Sequence, residues 1–166
     1  MGDLWKRSLE ALETQQARGA KVFAQSMPRT FDLSVRMSGT SFLFYGSPAW
    51  DRVMQMTVPE RLEAFQEPDV RAALMADAAR VPALLTMTVG EVKHEQNRQF
   101  IGMKLFEVAA AQGKHLTDAL LDLAITDEMQ TVLRVDGLLH SDRERVCTIL
   151  QHPLVHIGAS DAGAHV

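Results

Sequence analysis

Apolar and polar residues alternate along the chain in short blocks whose spacing switches between a helical and a strand period. Leu4, Leu9, Ala11 and Leu12 keep roughly helical spacing, Asp3 stands where a cap would, and Gly19 closes the run. Residues 21–26, Lys-Val-Phe-Ala-Gln-Ser, then read as a short strand. Helix, glycine and strand make one step of an alternating α/β fold.

The next stretch, 27–58, is less regular. Met27-Pro28-Arg29 breaks the strand, and Phe31, Phe42, Phe44, Tyr45 and Trp50 sit among Gly39, Gly46 and Pro48. This predicts an aromatic-rich loop, either packing its own small core or forming a wall that faces a substrate. Pro59 and Pro68 each stand early in a helix-forming run, at 58–62 and 68–74. Residues 84–89 predict a strand ended by Gly90. A helix follows over 102–111 with Gly113 past its last turn, then a second helix from His115 through Ala119 to Ile125. Residues 131–135 read as a strand, 142–150 as a helix, and 155–157 as a last strand, β-branched on both sides of His156. No internal repeat or low-complexity tract interrupts this order.

A chain of 166 residues is long enough for one ordinary domain with a real core. At 46% apolar and 23% charged it has the make-up of a globular protein, and a net charge of −4 offers nothing to nucleic acid. The single cysteine, Cys147, cannot form an intramolecular disulfide and is expected as a small buried hydrophobe on its helix. No apolar leader core follows Asp3, Lys6 and Arg7, and no run reaches the length of a membrane span, so the expected location is the cytoplasm.

Candidate chemistry concentrates after the last strand, in Gly158-Ala159-Ser160-Asp161-Ala162-Gly163-Ala164-His165. In α/β proteins, ligands bind beyond the carboxyl ends of the strands, and Asp161 stands just there among small residues. Read locally, it is either a site carboxylate or a turn aspartate capping a following helix. The run resembles the last-strand motif of the amidohydrolase superfamily, in the form found in N-acyl-D-amino-acid deacylases (D-aminoacylases) after a His-Pro pair, here His152-Pro153. The stretch Pro68 to Leu74 is similar to that family's Pro-Glu-Val-Arg helix. Gly102, Leu105, Glu107, Val108 and Ala109, with 118–123, resemble its paired packing helices, although Lys104 stands where the pattern has Ser.

The resemblance implies an α/β chain forming the later strands and helices of a TIM-like (β/α)8 barrel across 1–166. It implies a metal-dependent hydrolase acting on the amide of an N-acyl amino acid, with zinc as cofactor. Asp161 would be both a metal ligand and the catalytic carboxylate that passes a proton from the attacking water to the leaving amine. Ser160 and His165 are the candidate substrate-binding residues beside it.

The rest of a zinc site is harder to find. Of His94, His115, His140, His152, His156 and His165, no two form His-x-His, and Pro153 with the following strand keeps His152 and His156 off one helical face. A barrel takes about 250 residues, so the expectation is a fragment. Either it is a non-catalytic remnant, or it completes a barrel with an N-terminal half that brings the missing ligands.

Overall fold

The computed structural model describes residues 3–158. Along them run α1 (Leu4–Ala17), β1 (Ala24–Ser26), β2 (Phe31–Arg36), α2 (Pro48–Met54), α3 (Val58–Ala64), α4 (Pro68–Ala76), β3 (Met87–Glu91), α5 (Leu105–Gln112), α6 (Leu116–Thr126), β4 (Val132–Leu139), α7 (Arg143–Gln151) and β5 (Val155–Ile157). The fold is mixed α/β, and the described residues form two compact units: 3–31 with 137–158, and Asp32–Asp136 between them.

The first unit joins the two ends of the sequence. In α1, Trp5, Leu9, Leu12 and Gln16 form a half-buried stripe at helical spacing while the remaining positions face solvent. Asp3 occupies the cap position but makes no capping bond; its carboxylate pairs with Lys6 at 3.1 Å instead. Gly19, at φ +90°, lets the chain leave the helix. β1 and β5 pair in parallel, with Ala24 opposite Val155, Gln25 opposite His156 and Ser26 opposite Ile157. Before β5, Asp142 caps α7 by accepting the Arg145 N–H at 3.0 Å. The expectation of a buried Cys147 is not met: the thiol is exposed, because α7 buries only its neighbour Val146.

The second unit carries a three-stranded sheet in the order β2–β4–β3, with β3 and β4 antiparallel. Here the aromatic segment departs from a loop. Phe31, Leu33 and Val35 alternate with Asp32, Ser34 and Arg36 to make β2, and Ser47-Pro48 opens α2. Phe44 and Trp50 stack in the core with ring centroids 4.9 Å apart, so these two aromatics do build the local core that the pattern allowed. Strand β3 also differs from its expected span. Residues 82–85 form a turn of 3₁₀ helix, and the strand runs through Gly90 to Glu91. The ladder shifts register there, and a Cβ on Gly90 would lie 3.1 Å from Arg134 Cδ, so the glycine makes a bulge and does not end the strand.

Two buried charges hold this unit without opposite charges. Arg61 is 2% exposed and spends all five guanidinium N–H groups on main-chain carbonyls: those of Met37, Gly39, Val53, Met54 and Met56. Burial pushes its pKa down. The side chain thus ties β2's following turn to the end of α2 and the start of α3. Asp127 is fully buried after α6 and accepts the backbone N–H groups of Lys93 and His94, the Asn97 amide and the Thr131 hydroxyl. Burial alone would raise its pKa, but the His94 and Lys93 N–H groups, then Thr131 and Asn97, outweigh it and hold the carboxyl below the usual range. On the surface between α4 and α6, Arg71 meets Asp118 at 2.9 Å and Asp122 at 2.5 Å.

Arg61→Met is expected to cost about 2–4 kcal/mol in urea unfolding, because it orphans several carbonyls at once. Arg61→Lys is expected to recover little, since an ammonium has three donors for five acceptors. Asp127 gives a second test through pH. Its folded pKa is depressed, so its stabilisation is full above the unfolded carboxyl value near about 4 and fades as pH falls toward the depressed value. Asp127→Asn is expected to be less stable at pH near about 7 and to lose less stability than the wild type on acidification to about pH 2–3, read from urea midpoints.

Candidate functional site

The strand that leads to the candidate residues is anchored at both ends. At its start, Ala24 N–H donates to Leu154 C=O at 2.9 Å; at its end, Gly158 N–H donates to Ser26 C=O at 2.9 Å. Side by side and parallel, β1 and β5 present their carboxyl ends at the same edge, as the α/β rule requires of a ligand edge. Gly158 is the last described residue of this edge. A Cβ built on it would lie 2.8 Å from Gln25 Cβ, closer than two such carbons come, so only glycine lets β5 close against β1 at this rung. Beside it, the His156 ring packs on Phe23 at 5.0 Å with the planes tilted by 55°.

Ser160, Asp161 and His165 lie outside the described residues. Four of the five described histidines have a side-chain contact, and the fifth, His140, sits in a turn. His94 Nε2 lies 3.0 Å from Glu128 Oε1, beside a Lys93–Glu128 ion pair at 2.5 Å. The Lys93 and His94 contacts hold the Glu128 carboxyl below its ordinary pKa. His115 caps α6 by accepting the Thr117 N–H on Nδ1 at 3.2 Å. His140 adopts φ +59° in the turn after β4. His152 and His156 point to different partners, Glu13 at 3.0 Å and Phe23, in keeping with the reading that they share no helical face.

Among the described residues, no group of three His, Cys, Asp or Glu side chains comes together in a way that could hold a metal ion. The described residues therefore offer no three-ligand zinc site by themselves. No described helix is long and apolar enough to cross a membrane. In the aromatic segment, Phe42 and Tyr45 remain exposed, and Tyr45 lines a surface hollow of about 570 Å³ with Asp51, Met54, Thr57 and Arg61. Arg61 has no N–H left to offer there. No protein-family model matches the chain, and no curated protein or solved structure matches it either.

Glu13 and Gln25 are residues of this region that the sequence pattern did not single out. Nothing in the exposed position of Glu13 on α1 signals a partner so far along the chain. The need for glycine at 158 comes from the Gln25 side chain, a tertiary contact. Gly158→Ala is expected to destabilise the first unit by about 1–3 kcal/mol, since Gln25 or the strand must shift. The observable is loss of amide protection at Ser26 and Gly158 with the Asp32–Asp136 unit unaffected. Unchanged protection at both positions would contradict the packing described.

Proposed function

We propose that this chain supplies the last strands of an amidohydrolase barrel of the N-acyl-D-amino-acid deacylase type, with Asp161 as its catalytic carboxylate. One observation carries the reading: β1 and β5, each preceded by a helix, lie side by side in parallel, and β5 runs at its carboxyl end straight into the Gly158-to-His165 run. Adjacent parallel strands with helical connections are the repeating unit of a (β/α)8 barrel, and a carboxylate just past such a strand is where barrel enzymes place chemistry.

In this reading, Asp161 takes the proton from the attacking water and returns it to the amine nitrogen as the amide C–N bond breaks. Ser160 and His165 flank the acyl amino acid. Zinc is not accommodated by the described residues, and the proposal assigns this chain one ligand, Asp161. The remaining ligands belong to other barrel strands.

A second reading is favoured by the first unit's thin core. Among its described residues only Val146 and Val155 are buried, and no described strand flanks either outer edge of the β1–β5 pair. Parallel strands normally sit inside a larger, covered sheet. The chain then acts as a barrel-completing subunit, or is a non-catalytic remnant of one.

The test is zinc content by elemental analysis together with hydrolysis of N-acetyl-D-amino acids. The measurements are made on the chain alone and on the chain co-expressed with an amidohydrolase N-terminal half that carries His-x-His. The proposal expects neither zinc nor turnover alone and both in the pair, with Asp161→Asn lowering kcat by about 10²–10⁴-fold. Turnover in the pair that survives Asp161→Asn would refute the role of Asp161. A pair that binds no zinc and hydrolyses nothing would favour the remnant.

A further inference from the structure

At the root of β5 a single imidazole makes two contacts that respond differently to its charge. His152 Nδ1 accepts the backbone N–H of Leu154 at 3.2 Å, and Nε2 lies 3.0 Å from Glu13 Oε1 on α1. A ring nitrogen that accepts carries no proton, so the neutral ring holds its proton on Nε2 and donates it to Glu13. The carbonyl of Leu154 in turn accepts the Ala24 N–H at 2.9 Å, the first rung of the β1–β5 pair. Glu13, His152, Leu154 and Ala24 thus form one hydrogen-bonded line from α1 through the His152-Pro153 turn into the sheet. The His152 side chain is only 14% exposed, so little water stands ready to replace a lost partner.

We infer that this line is an acid-released latch on the start of β5. Protonation places a second N–H on Nδ1, where it faces the Leu154 N–H donor to donor, and that bond is lost. The Glu13 contact survives, because Nε2 carries a proton in both forms of the ring. Only the Nδ1 side switches. Of the titratable groups on the surrounding elements, which include Lys6, Arg7 and Glu10 on α1 and Cys147 on α7, Glu13 is the one bonded to the ring. β1 has no titratable residue. β5 has only His156, whose ring packs on Phe23. The charged residues of α7, Arg143, Glu144 and Arg145, lie in its first turn, at the opposite end from His152. This inference stands apart from the hydrolase reading and needs no ligand.

The experiment is backbone amide hydrogen exchange by NMR on the whole chain at about pH 8 and about pH 5, the limits between which histidine changes charge. Rates are corrected for the intrinsic pH dependence of exchange. Protection at Leu154 and Ala24 is expected to fall roughly three- to tenfold at the lower pH, the equivalent of about one hydrogen bond. His152→Asn is the control, because an Asn oxygen can accept the N–H two residues on and does not titrate. Its protection is expected to be equal at both pH values. Constant protection in the wild type, or the same fall in His152→Asn, would overturn the latch. Ring ¹⁵N shifts of wild-type His152 give an independent reading that holds even where the variant does not fold. Nδ1 is expected to gain its proton in step with the Leu154 amide shift, and titration without any change at Leu154 would refute the inference.

Discussion

Two backbone hydrogen bonds, Ala24 to Leu154 and Gly158 to Ser26, bring the opposite ends of this sequence into one parallel pair. Everything at the candidate edge depends on that pairing. It sets which residue of β5 faces which residue of β1, and it forces a glycine at 158 against Gln25. A parallel two-strand ladder of three residues each is a weak element by itself. Its supports are correspondingly local: the cap of α7 by Asp142, the turn at Pro153, and the reach of Glu13 to His152.

The second unit is built on a different balance. It holds nearly all of the buried apolar side chains and adds two buried charges whose partners are dipoles rather than ions. Arg61 gathers carbonyls and Asp127 gathers N–H groups, and each closes a place where loops would otherwise leave main-chain groups unsatisfied. Such groups fix loop geometry more than they add net stability, and removing one costs far more than replacing both partners. The contrast in burial between the units follows from this. One is closed by its own side chains, while the other leaves Phe23, just before β1, and Ile157, on β5, largely exposed.

Local signals were enough for most of the helices. Proline at the start of α3 and α4, Gly113 at φ +64° after α5, and Asp142 before α7 each act within a turn of their own position, so spacing alone locates them. The strands were less legible. The alternation in β2 was masked by the glycines, proline and aromatics around it, and Gly90 reads as a stop unless Arg134 on the neighbouring strand is known. Cys147 shows the same limit, because a helix of apolar and polar residues does not reveal how little of it is covered. The candidate run around Asp161 is marked in the sequence by its place past the last strand and by a resemblance, and it lies outside the described residues. The contacts that hold its strand, from Gln25 and Glu13, come from the far end of the chain and leave no local mark.

The parallel register of β1 and β5 is the most direct test of this account, and interstrand NOEs in the isotope-labelled chain measure it. Contacts are predicted between the amide and α protons of the Ala24–Val155 and Ser26–Ile157 neighbours, in the pattern of a parallel ladder. An antiparallel pattern, a register moved by one residue, or no contact between the two stretches would contradict it. The proposed barrel reading would then lose the pairing that supports it.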